Sequence, residues 1–239
     1  MATKYEIRLE EKHVLIIKDS LDLLFDILSV ELYLIQSFMT RLSPFGDNRT
    51  SRAASNLWDV IRHIYTDAKS DEKNKLCDKS LPEISKLIDS FNEKSERRDS
   101  TEEDGIVVLC LDSEVENICK ALEMVARLHL GQINIVEETL RMHTILSDRV
   151  DYEIPDRIFC ALRMMYFGFE RGASYGIHSD KVSDDARVAW DMMTVFRHRI
   201  SWDKAGNPST RDWNTMMGVN YDEPHRSSTT TSQITIRKI

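Results

Sequence analysis

The chain has 239 residues, with 32 Lys and Arg against 40 Asp and Glu and a formal charge of −8. Hydrophobic residues make up 41%, and there are only 8 Gly and 5 Pro, which excludes a disordered, collagen-like or low-complexity chain. The acidic balance argues against a broad basic nucleic-acid surface, and the length supplies a core for one large domain or two small ones.

In chain order, Tyr5, Ile7 and Leu9 alternate with polar residues, which predicts a half-buried strand over Lys4–Leu9. From Glu10 the period changes. Val14, Ile17, Leu21, Leu24, Leu28, Leu32 and Ile35 predict one long helix reaching Met39. Leu15, Leu23, Ile27, Val30 and Leu34 extend its apolar surface around most of the circumference, which suits an interior helix or a contact between copies. A turn at 43–48 precedes a helix over 51–69, and Pro82 opens a shorter one to Phe91. The charged stretch 89–104 reads as a linker.

The pattern then restarts. Gly105–Leu111 reads as a buried strand, and Asp112 or Ser113 caps a helix carrying Val115, Ile118, Leu122, Val125, Ile133, Val136 and Leu140. Gly131-Gln132 interrupts that helix. Close helix packing is the first explanation, and a gap for a ligand near Arg127 and Gln132 is the second. A helix follows Pro155, a loop spans Arg171–Ser183, and Ser183 caps a helix over 184–202. Ile234 and Ile236 mark a C-terminal strand over 232–239. The expected fold is α+β and mostly α, with long helices packed on a small sheet of short strands.

The restart suggests a duplicated strand–helix unit, divided as residues 1–104 and 105–239 and sharing one core. Leu21-Asp22 parallels Leu122-Glu123, Ala54–Asp59 parallels Ala186–Asp191, and Arg62-His63 parallels Arg197-His198.

Cys77, Cys110, Cys119 and Cys160 form no CxxC pair and read as buried free thiols. The first residues lack the apolar core of a secretion signal, and the apolar stretch 13–39 carries five charges, so no membrane span and a cytoplasmic location are expected.

Chemistry-bearing side chains concentrate between Arg171 and Arg226. On the helix 184–202, Arg187, Asp191, His198 and Trp202 lie near one face, with Trp190, Met193 and Arg197 beside them. An apolar floor with convergent donors suits an anion or a nucleotide base. Equally, Trp190 is a core residue, and Arg197 and Arg199 are surface cations favoured at a helix C-terminus. The glycine loop with Tyr175, His178 and Ser179 adds backbone donors but lacks phosphate-loop spacing. Asp222, Glu223 and His225 lie in a turn-like segment without metal-ligand spacing. The candidate ligand-binding set is therefore Arg171, Tyr175, His178, Ser179, Arg187, Trp190, Arg197, His198, Arg199, Trp202, Asp222 and Glu223. No catalytic residue, metal or cofactor is expected.

The segments Ala121–Gln132, Arg171–Ser179, Asp185–Asp203 and Asn220–Ser228 resemble an uncharacterised family of tailed-bacteriophage proteins. That resemblance implies an accessory protein acting in a bacterial host's cytoplasm. The leading expectation is a protein that binds and sequesters a small anionic ligand, such as a nucleotide immune signal, and forms a homo-oligomer. The alternatives are a protein–protein inhibitor of a host factor, and a nucleotide-processing enzyme using Asp222, Glu223 and His198.

Overall fold

The structure, a computed structural model, describes residues 3–43, 48–69, 80–96, 105–143, 153–170, 172–205, 227–228 and 234–239. Its elements are β1 (Lys4–Leu9), α1 (Glu11–Ser29), α2 (Tyr33–Leu42), α3 (Asn48–Lys69), α4 (Ser80–Glu96), β2 (Ile106–Leu111), α5 (Asp112–His129), α6 (Asn134–His143), α7 (Glu153–Phe167), α8 (Asp184–Ala205) and β3 (Thr235–Lys238). The expected α+β, mostly helical class is what forms. Among the described residues no helix is long and apolar enough to cross a membrane.

Two compact units are distinguished. The first comprises Met1–Leu21, Lys86–Ala126 and Ser183–Ile239, and the second Asp22–Ser85 and Arg127–Val182. The first holds an antiparallel sheet in the order β2-β1-β3. Its buried face carries Tyr5, Ile7, Leu9, Val108 and Cys110. The register sets Tyr5 opposite Cys110 and Ile7 opposite Val108, so these apolar side chains are cross-strand neighbours on one face. The sequence reading of β2 as a buried strand holds for Val108 and Cys110 and is corrected for Val107 and Leu109, which are exposed. Two of its apolar side chains face outward, so the period of two describes it better than a continuous run. The second unit is helical, with α7 against α2, α3 and α6.

Both helices expected to be continuous break at corresponding points. After α1, the Val30 N–H bonds to the Ile27 carbonyl at 3.1 Å and the Glu31 N–H to the Asp26 carbonyl at 3.1 Å. After α5, the Gly131 N–H bonds to the Leu128 carbonyl at 2.9 Å and the Gln132 N–H to the Arg127 carbonyl at 2.9 Å. This is the Schellman ending, which needs a left-handed residue just past the helix. Gly131 supplies it at φ 79, and Val30 supplies it at φ 65, where a β-branched side chain is strained. Apolar periodicity continues through both breaks because the chain resumes a helix with its buried face preserved, so period alone does not reveal them.

The two breaks are separated by 101 positions, and so is much else. The Glu10 N–H bonds to His13 Nδ1 ahead of α1, and the Leu111 N–H bonds to Glu114 Oε2 ahead of α5. Buried Val14, Ile17, Leu21, Leu32, Ile35 and Met39 correspond to buried Val115, Ile118, Leu122, Ile133, Val136 and Leu140. On α3, buried Trp58, Ile61 and Tyr65 correspond to Phe159, Leu162 and Tyr166 on α7, also buried. The repeat therefore runs from strand to third helix without insertion, and pairs α3 with α7. Leu21-Asp22 and Leu122-Glu123 lie on this offset. The sequence pairing of Ala54–Asp59 with Ala186–Asp191 does not, because Trp58 and Trp190 share only an amphipathic helical context.

Candidate functional site

Most of the cationic cluster expected around α8 is engaged by acids of the fold. Arg197 Nη2 meets Glu123 Oε2 at 2.6 Å, and Arg199 Nε meets Asp203 Oδ2 at 3.0 Å. Asp203 also accepts from the Tyr5 hydroxyl; burial first, and then Asp203, push that phenol up to about 12. Arg187 stands 4.0 Å from Asp184. Trp202 Nε1 donates to His198 Nε2 at 2.6 Å, within one helical turn. Asp191, on the same helix face as Arg187, is fully buried, and its carboxylate accepts the N–H groups of Ser227 and Ser228 at 2.7–2.9 Å. Trp190 is half-buried, His178 is exposed, and Ser179 and Tyr175 are half-buried. Arg171, Asp222 and Glu223, with Cys77 and His225, lie outside the described residues.

The structure does hold a cavity of about 350 Å³, within the second unit. It is lined by one face of α7 (Asp156, Phe159, Cys160, Arg163), by the entry to α6 (Gln132, Ile133, Asn134, Glu137), and by Gly172–Ser174. Steps of three, four and seven place the four α7 side chains together.

Each wall is fixed locally. Gly131 allows the tight approach at the end of α5: a Cβ there would stand 2.7 Å from Phe169 Cε2. Phe169 packs edge-on to Tyr175 at 4.6 Å, and the Tyr175 N–H bonds to the Leu130 carbonyl at 2.9 Å, which ties down the loop carrying Gly172–Ser174. Arg127 holds Gln132 Oε1 through Nε at 3.0 Å and grips Glu138 through both terminal nitrogens. Gln132 Nε2 then reaches Ser174 Oγ at 3.4 Å, and Asn134 Nδ2 donates to Glu138 at 2.7 Å. The close packing offered by the sequence forms at Gly131, and Gln132 beside it lines the cavity.

Arg163 distinguishes this cavity. The residue is 7% exposed, and its buried Nε has no hydrogen-bond partner. Among the described residues no carboxylate pairs with its guanidinium. Buried guanidinium groups are ordinarily held by acids or carbonyls, because removing the charge from water costs several kcal/mol, on the order of 3–5 when a partner is lost. Arg127, Arg197 and Arg199 each have a carboxylate within 3.0 Å. Arg163, on α7, faces a cavity that the first turn of α6 also lines, and a buried guanidinium beside such a space is equipped to receive an anion.

Comparison with protein-family models, curated proteins and solved structures gives no match.

Arg163 was not among the residues drawn from the sequence. Its signal was weak: one Arg among the apolar residues Phe159, Leu162 and Tyr166 of a helix. Cys160, read as core, is half-buried and lines the cavity, while Cys110 and Cys119 are buried as expected. Burial pushes the Cys119 thiol up to about 12. Among the described residues no group of three or more His, Cys, Asp or Glu could hold a metal ion.

Proposed function

We propose that this chain is a binding protein that sequesters a small ligand by docking its anionic group on Arg163. The observation that carries the reading is the buried guanidinium without an acid partner at the wall of a ligand-sized cavity. The resemblance of Arg171–Ser179 and the α8 segment to tailed-bacteriophage proteins supports a role in the host cytoplasm, where withholding a nucleotide signal would blunt a defence response. The anionic-ligand expectation is retained, and its centre moves from α8 to the α6–α7 cavity.

Thermal unfolding with and without a panel of mononucleotides, cyclic dinucleotides and dicarboxylates tests this reading. A ligand that binds only the folded chain stabilises it by about 2.7 kcal/mol at a hundred times its Kd. Stabilisation by an anionic compound recovered unchanged, and lost in Arg163→Met, is the expected result. No stabilisation by any panel compound, or conversion of the bound compound into product, would overturn it.

A further inference from the structure

The three described cysteines differ in what can reach their sulfur. Cys110 and Cys119 are 3% and 5% exposed. Cys119 Sγ donates to the Met193 carbonyl at 3.9 Å, and burial pushes its thiol up to about 12, so it stays protonated and inert. Cys160 is half-buried, is in no disulfide, and lines the cavity of the second unit. Arg163 follows it by one turn and lines the same cavity. Residues three apart on a helix stand about 5–6 Å from each other at Cβ, and helical side chains lean toward the N-terminus. The Arg163 guanidinium therefore reaches back over the turn that carries the Cys160 thiol. Arg163 is 7% exposed and its Nε has no partner, whereas Glu137 on the same wall already pairs with Arg141 at 3.6 Å. A thiol that is partly exposed beside a cation is the setting in which cysteine reacts.

The repeat shows what is missing. The position of Cys160 is held in the first copy by Asp59, which meets Arg62 at 3.4 Å. Where the first copy has an acid for its arginine, the second has a sulfur that can acquire one. We propose that Cys160 is a modification site for small disulfides that carry a carboxylate near the sulfur, with that carboxylate docked on Arg163. The step is thiol–disulfide exchange. The Cys160 thiol gives its proton to solvent, and the thiolate attacks one sulfur of the disulfide. The new Sγ–S bond forms as the S–S bond of the disulfide breaks. The other half leaves as a thiolate and takes up a proton. Cys160 is oxidised to the mixed disulfide and the leaving half is reduced to a thiol, so no further oxidant enters. The tethered carboxylate then stands to Arg163 as Asp59 stands to Arg62, and it holds the place of a sequestered anion while it remains. This rests on the anion-docking role of Arg163 proposed above. The formal charge of −8 opposes the approach of an anionic disulfide, so a preference for one has to arise locally.

The test compares dithiodipropionate with hydroxyethyl disulfide, which are similar in size and differ in charge. The full chain is treated with each, and the rate at the Cys160 peptide is followed by mass spectrometry, apart from the other cysteines. The ratio of the two rates is divided by the ratio in the urea-unfolded chain, which removes the reagents' own reactivity. Dithiodipropionate should be favoured at Cys160 by about tenfold, a factor that corresponds to about 1.4 kcal/mol. The added group should be released by dithiothreitol. The preference should disappear in Arg163→Met, or in Arg163→Gln where circular dichroism shows the first variant unfolded. Equal normalised rates in the parent, or a preference that survives in the folded variant, would overturn the proposal. So would a Cys160 that stays unmodified in the folded chain and reacts in the unfolded one. None of these results touches the thermal-unfolding test of sequestration. Conversely, an Arg163-dependent preference at Cys160, with no stabilisation by any nucleotide or dicarboxylate, would uphold the modification site and remove the sequestration reading.

Discussion

Arg62 and Arg163 occupy the same position of a repeat 101 residues long, yet one lies on the surface 3.4 Å from Asp59 and the other is buried with Cys160 where that acid would stand. Nothing in the local helix requires this difference. The same i−3 geometry that pairs an acid with an arginine in α3 is available in α7. The second copy therefore carries the desolvation cost of a cation that, in the first, stays at the surface beside an acid.

That cost is measurable without any ligand. Replacing Arg163 by Met keeps the apolar stem and removes the buried charge, so the folded chain should gain about 1–2 kcal/mol in urea denaturation. Arg62→Met removes an exposed pair and should change stability by no more than about 0.5 kcal/mol. A loss of more than 2 kcal/mol in Arg163→Met would show that the guanidinium is held by the fold and not reserved for a ligand.

Cys160→Asp restores the acid of the first copy. The new carboxylate, one turn before Arg163, should occupy the guanidinium and weaken binding of any anionic ligand at least tenfold, with the fold retained. Titration of the variant beside Cys160→Ser, which keeps the volume without the charge, separates the charge effect from a packing effect.

Gly131 and Gly172 both have positive φ, 79 and 85, but only Gly131 lies against neighbouring side chains. Gly172→Ala meets nothing within 4 Å and should cost about 1 kcal/mol of backbone strain. Gly131→Ala adds a contact of 2.7 Å with Phe169, so it should cost at least twice as much, about 2–3 kcal/mol. It should also loosen the Tyr175 loop, read as faster amide exchange at Tyr175. Equal stability losses in the two variants would contradict the packing account.

Asp26 gives a pH signature. It is 3% exposed, and burial pushes its carboxyl up to about 6, against the pull of the Leu34 and Ile35 N–H groups. The folded value lies above the ordinary value of 3.8, so the protonated form is favoured by folding. Its contribution is fully present below about pH 4 and is lost as pH rises through 6. Asp26→Asn mimics the neutral form. The stability of Asp26→Asn relative to the parent should rise by about 2 kcal/mol from pH 4 to pH 7.5, measured by urea titration at each pH. A flat difference would mean that Asp26 is not desolvated in the fold.

Much of the architecture was legible. The strands were readable because Tyr5, Ile7 and Leu9 alternate, and the α8 start because Ser183 Oγ accepts the Ala186 N–H at 3.2 Å, as a capping residue should. The breaks at Val30 and Gly131 were harder. Gly131 announced itself, but Val30 is among the least expected residues for a left-handed turn, and only the tertiary setting holds it there. The repeat was legible in outline and misaligned in detail, because Trp58 draws the eye to Trp190 when its counterpart is Phe159. The cavity was the least legible part. The sequence shows Arg197, His198 and Arg199 as a basic cluster, and only three-dimensional proximity reveals that Glu123 and Asp203 neutralise the two arginines. Conversely, Arg163 looks solitary in the sequence, and its burial beside Gln132 and Ser174 depends on segments far away in the chain.

The order of strands in the sheet has a consequence for synthesis. β1 is the middle strand, and its partners β2 and β3 follow it by about one hundred and more than two hundred residues. During translation β1 emerges before either neighbour exists, with Tyr5, Ile7 and Leu9 unable to settle into their final face. The first ladder must close a loop of about a hundred residues, and the second one longer still, so sheet formation belongs late in folding. A nascent chain of this protein carries an unpaired, half-apolar strand for most of its synthesis, which is where chaperone dependence and misassembly should concentrate.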